Sequence, residues 1–153
     1  MEEDILIAPP GYKLYKDVAI RLATFFGGPL AAGYLAAENF KQLGQHELVG
    51  KTWIISIAAS VVIFGGIFLL PDTQRIPPYV IPFAYSWIAY GIVHKYQGEA
   101  IKVHNEKGGF FYSNWRVVLV SLVGLVITVA ILFAIILLTE KGVMGYGGRN
   151  EAG

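Results

Sequence analysis

The sequence predicts an all-α integral membrane protein, a four-helix transmembrane bundle with an amphipathic interfacial helix before the last span. Three observations carry that prediction. The stretch Val117–Leu138, VVLVSLVGLVITVAILFAIILL, has no ionisable side chain. At about 1.5 Å per helical residue it can cross the roughly 30 Å hydrocarbon core of a bilayer. Of the 153 residues, 55% are hydrophobic and 15% charged, whereas an ordinary soluble domain carries about 25% charged residues. Further apolar segments at about 18–37, 53–70 and 79–97 alternate with Gly-, Pro- and charge-bearing connections. The length suits one membrane domain, 1–153.

The N-terminus, MEEDILIAPPGYKLYKD, starts acidic and contains Pro9–Pro10–Gly11. A secretory signal needs a basic start and then an apolar run, so the first apolar segment is expected to stay as a span. Residue 2 is Glu and the chain has no Cys, so no lipidation signal is read.

The first segment, VAIRLATFFGGPLAAGYLAA, carries one charge, Arg21. Pro29 lacks an N–H and predicts a kink near Phe25–Phe26. Gly28, Ala32 and Ala36 fall at i, i+4 and i+8, with Gly33 and Ala37 as a second small pair. Such a stripe lets helix backbones approach closely, so its expected use is a packing seam. The sharper alternative is a broken helix whose free carbonyls line a site. Arg21 sits one turn inside and is expected to snorkel and pair with Asp17 at i−4.

The link 38–51 reads as a polar loop punctuated by Gly44 and Gly50, with His46–Glu47 solvated. The second segment ends at Pro71–Asp72. The prolines of PDTQRIPP block helix continuation and predict a tight turn that makes segments two and three antiparallel neighbours. The third segment is short for a span and rich in aromatics (Tyr85, Trp87, Tyr90), which favours shielding by protein. Its helical spacing continues toward Val103. The stretch His94–Lys107 reads as an amphipathic interfacial helix with Lys95, Lys102 and Lys107 facing lipid phosphates. A turn at Gly108–Gly109 follows, then Ser113 or Asn114 as cap of the last span, with Arg116 at its head. Trp53 and Trp115 precede spans as interfacial belt residues should.

Orientation is unresolved at this level. Four spans put Lys13, Lys16, Arg21, Arg75, Lys141 and Arg149 on one side and Lys41, Lys51, Lys95, Lys102, Lys107 and Arg116 on the other. That is a tie for the positive-inside rule.

Several classes are disfavoured. Without cysteine there is no disulfide, thiolate metal site or thiol nucleophile. A net charge of +1 gives no nucleic-acid footprint. No HExxH, GxGxxG or P-loop pattern occurs. The central parts of the segments hold no Asp, Glu, His or Lys, which argues against a proton-driven carrier. His94, Glu99 and His104 are the one set an enzyme could use, but ten helical positions separate the histidines by about 15 Å. The expectation is therefore a non-enzymatic membrane protein without cofactor or metal. It would meet lipids and pack with itself or another membrane protein through the Gly28/Ala32/Ala36 seam. A homo-oligomeric channel or passive pore is the alternative, and an enzyme on a membrane substrate ranks last.

The runs FFGGPLAAGYLAAENF, KTWIISIAA and GGFFYSNWR resemble a group of small, uncharacterised bacterial inner-membrane proteins with four expected spans. The resemblance implies architecture and a bacterial inner (plasma) membrane. It implies no activity.

Overall fold

A computed structural model describes residues 10–69 and 75–147. The last six residues and positions 71–74 of the expected turn lie outside that range. The element order is β1 (Lys13–Leu14), α1 (Asp17–Gln42), α2 (His46–Leu69), α3 (Val80–Glu106), β2 (Phe110–Phe111) and α4 (Asn114–Gly147). By length and composition α1, α2 and α4 are long and apolar enough to cross a membrane; among the described residues α3, expected as a span over 79–97, does not reach that mark.

α1 does not run straight. Gly28 has φ 74° and ψ −175° inside it, a left-handed conformation that glycine adopts at little cost. Pro29 then opens the second half, where its fixed φ and missing N–H suit a first helical position. The turn is sharp enough to reverse the chain. The Tyr15 N–H donates to Asn39 Oδ1 at 2.7 Å, although a straight helix would hold residues 24 positions apart about 36 Å from each other. Residues 17–27 and 29–42 are thus two arms of a hairpin with its tip at Gly28. The segment 18–37, expected as one kinked helix, instead folds back on itself. Proline alone bends a helix, whereas the glycine before it lets the chain fold back.

The hairpin is the centre of the fold. α2, α3 and α4 each pack mainly on α1. More than half of its apolar window, 56%, is buried, against 11% for α2 and 17% for α4. Ile20, Ala23, Ala31, Leu35 and Ala36 form the core with Tyr15, Val93 and Val117. α2 and α3 were expected to pair as neighbours, yet each packs chiefly on α1, and an apolar cleft opens between them.

Two further expectations change. The link 38–51 shrinks to residues 43–45: Gly44, at φ 74°, closes α1 through Gln45 N–H to Phe40 O (2.8 Å) and Gly44 N–H to Lys41 O (3.1 Å). His46–Glu47 then form the first turn of α2, and Gly50 is helical. The interfacial helix is not a separate element. α3 runs unbroken to Glu106, and its buried stripe Ser86, Val93, Gln97, Ile101 and His104 follows helical spacing on one face. The same glycine closure ends it at Gly108, with Gly109 N–H to His104 O at 2.8 Å.

β1 and β2 pair in parallel, Lys13 opposite Phe110 and Leu14 opposite Phe111, tying the N-terminal segment to the α3–α4 connection. Ser113 caps α4, its Oγ accepting from Trp115 N–H at 3.3 Å.

The outer faces of α2 from Trp53 and of α4 between Val118 and Leu138 are apolar, with Ile54, Val61, Val62, Leu122, Val126 and Leu138 among many exposed aliphatic residues. A surface of this extent is far beyond the patches a soluble monomer tolerates.

Candidate functional site

Three places concentrate polar or irregular structure inside this apolar frame: the hairpin tip, the open end of the hairpin, and the α2–α3 cleft.

At the tip, Pro29 removes the donor that would have bonded the Phe25 carbonyl. The Tyr85 hydroxyl from α3 donates to that carbonyl at 3.4 Å. On the other side a Cβ built on Gly28 would lie 3.3 Å from Thr128 Oγ1, whose hydroxyl is buried without a partner. Next to it α1 and α4 cross almost backbone to backbone. A Cβ on Gly27 would come within 2.7 Å of the Ser121 carbonyl oxygen, and one on Gly124 within 2.6 Å of the Gly27 carbonyl oxygen.

At the open end, Asn39 acts as a backbone mimic. Its Oδ1 accepts from Tyr15 N–H, and its Nδ2 donates to Tyr15 O (2.9 Å) and to Gln97 Oε1 (3.0 Å). Gln97 Nε2 in turn donates to Ala36 O at 2.9 Å. Both amides are buried, and the network locks the segment before α1, the second arm and α3 together. Tyr15 stacks on Tyr112 with ring centroids 4.3 Å apart, and its buried hydroxyl has no partner. Burial pushes that phenol up to about 12, an effect the nearby Arg116 guanidinium partly opposes.

The residues of the seam divide among these places. Gly33 packs tightly on the Ser56 side chain of α2. Gly28, Ala32, Ala36 and Ala37 are buried within the protomer. Gly28 and Ala37 are taken up by packing inside one chain, whereas Ala32, Gly33 and Ala36 also line the α2–α3 cleft.

Asp17 does not pair with Arg21. Its Oδ2 lies 2.9 Å from His94 Nδ1, because the fold-back sets the first arm antiparallel against α3. Arg21 instead lies over the rings of Trp87 (4.8 Å) and Tyr90 (5.2 Å), a favourable place for a weakly hydrated guanidinium. Trp87 is half exposed, so α3 is less shielded than its aromatic content suggests. Arg116 covers Tyr112 at 4.4 Å, and Lys95 covers Tyr96 at 5.8 Å. Lys102 lines an open polar pocket with Lys16, Asp17, His94 and Glu99. Lys107 is exposed in the turn after α3. Trp53 meets Tyr34 edge-on at 6.5 Å, and Trp115 is exposed.

His94, Glu99 and His104 are not brought together as a set. His94 is exposed and bonded to Asp17, whereas His104 is buried. Its Nε2 lies 2.8 Å from Phe110 O, and its ring stacks against Tyr12 at 4.9 Å. It is a post for the β1–β2 pairing. Among the described residues no three His, Asp or Glu side chains are grouped to hold a metal.

The third place is the cleft, of about 450 Å³, floored by the second arm of α1 and walled by α2 and α3. No family model matches the chain, and no curated protein or solved structure matches it.

Proposed function

We propose that the protein is a non-enzymatic integral membrane component in which α2, α3 and α4 cross the bilayer around a re-entrant hairpin, α1. The observation that carries this reading is the Tyr15–Asn39 contact, which brings both ends of α1 to one level. Asp17 beside His94 and Ala36 beside Gln97 support the same level independently, one turn apart on α3.

Charge supports it too. Re-entrance puts Lys13, Lys16, Arg21, Lys41, Lys51, Lys95, Lys102, Lys107 and Arg116 on one side and leaves Arg75, Lys141 and Arg149 for the other. The tie becomes nine against three, which by the positive-inside rule faces the hairpin's open end to the cytoplasm and sends the termini to opposite sides. We assign the membrane as a bacterial plasma membrane on the resemblance given above.

The polar groups at the tip and the open end mostly bond one another, which supports a structural role over catalysis. Contacts with a second copy or another membrane protein then fall to the outward apolar faces of α2 and α4. A pore between copies gains no support, because among the described residues those faces offer no polar stripe to line it.

Sided labelling tests the topology, and the cysteine-free chain suits it. Gly11→Cys and Gln45→Cys react from the same side of sealed vesicles, and Arg75→Cys from the other. Labelling of Gly11→Cys and Gln45→Cys from opposite sides restores the four-span alternative.

A further inference from the structure

We propose that the α2–α3 cleft is a binding site for one acyl chain of an anionic phospholipid from the leaflet at the hairpin's open end. This rests on the membrane reading above and adds the ligand.

The cleft has the course of a lipid tail. It begins between Leu48, Lys51 and Tyr96, at the level of the Asn39–Gln97 network, and ends at Pro29, Ile63 and Tyr85 beside the hairpin tip. It therefore runs from headgroup depth towards the bilayer centre. Its volume of about 450 Å³ falls within the range of about 300–1,000 Å³ typical of small-molecule sites. A void of this kind inside a bilayer fills with whatever the bilayer supplies.

Its chemistry favours an apolar guest. Besides Lys51 and Tyr96 at the shallow end, five polar side chains reach the wall: Thr24, Thr52, Tyr85 and Gln97 donate to the carbonyls of Ile20, Leu48, Phe25 and Ala36, and Ser56 is buried against Gly33. The remaining lining is mainly aliphatic, including Ile55, Ala59, Ile88 and Ala89. A hydrocarbon chain desolvates little there, whereas a sugar meets a mainly aliphatic wall with those four side chains already engaged. Lys51, the ionisable side chain on the wall apart from Tyr85 and Tyr96, lies at the shallow end, where a lipid phosphate sits. That charge selects an anionic headgroup over a zwitterionic one.

Native mass spectrometry of the full chain in mild detergent, delipidated and then titrated with phosphatidylglycerol or phosphatidylcholine, tests the assignment. The expected result is one phosphatidylglycerol per chain, bound at least about tenfold more tightly than phosphatidylcholine. Ala59→Phe and Ala89→Phe, which fill the cleft from opposite walls, each abolish the adduct. Ala58→Phe, on the exposed face of α2, leaves it intact and controls for folding. Lys51→Glu removes the headgroup preference. Equal adducts in wild type and both filled variants overturn the proposal, as does a cleft occupied by a second copy, seen as a dimer that Ala59→Phe dissociates. Recovery of the chain as a detergent-free soluble monomer overturns the membrane reading instead, so the two failures are distinguishable.

Discussion

The Tyr85 hydroxyl donates to the carbonyl of Phe25, 60 positions away, at 3.4 Å. That carbonyl is the acceptor Pro29 leaves without its helical donor, so α3 completes the hydrogen bonding that a broken α1 lacks. In an apolar surrounding, an orphaned carbonyl at the hairpin tip is costly, and this contact explains how the tip tolerates Pro29.

Tyr85→Phe removes the donor and leaves the ring. The bond is long, so the loss is small, about 0.5–1 kcal/mol. Thermal unfolding in detergent reads it, and an unchanged midpoint would show that water serves the carbonyl as well.

Glycines at the α1–α4 crossing should not tolerate a methyl group. Gly124→Ala puts Cβ against the Gly27 carbonyl, and the backbones must part, at a cost of about 1–3 kcal/mol. Gly65→Ala in α2 meets open space and gains helix propensity of up to about 1 kcal/mol. Denaturant titration of the two variants should therefore give shifts of opposite sign.

Asn39→Leu preserves size but leaves Tyr15 N–H, Tyr15 O and Gln97 Oε1 without their partner. Each buried group left unsatisfied costs about 1–3 kcal/mol, so the variant loses at least that much. The segment before α1 also comes free. Limited trypsin cleavage at Lys13 or Lys16 should accelerate in this variant and stay slow in wild type.

Tyr15→Phe should cost nothing at neutral pH, because the hydroxyl it deletes is buried without a partner. Its effect emerges in alkali. The folded-state phenol is raised from an ordinary 10.0 to about 12. The unfolded chain therefore releases its proton first, and wild type is progressively destabilised as pH rises from 10 towards 12. Wild type should lose more stability than Tyr15→Phe between those values, measured as the difference in unfolding midpoints. Equal losses contradict the burial of that hydroxyl.

Helical class, the three long apolar helices and the break-prone FFGGP run could all be read from composition and spacing. The reversal at Gly28 could not. A proline kink and a fold-back share the same local letters, and only contacts between residues 24 positions apart decide between them. Asn39 and Gln97 were invisible for the same reason: a lone amide on a helix shows nothing of the partner that buries it. Asp17 and Arg21 sit at ideal i, i+4 spacing, yet the third helix offers each a different partner. The α1–α4 crossing had a faint signal in Gly27 and Ala31 opposite Ser121, Gly124 and Thr128, small residues at helical spacing on both helices' faces.

The distance between spin labels at Lys13→Cys and Lys41→Cys tests the hairpin most directly. Both positions are exposed, and each lies two residues from a member of the Tyr15–Asn39 pair. Pulsed electron resonance in nanodiscs should give backbone separations under about 20 Å, given about 3.8 Å between successive Cα atoms. A distribution centred at about 42 Å or more, the length of an unbroken helix over those 28 positions, contradicts the fold-back.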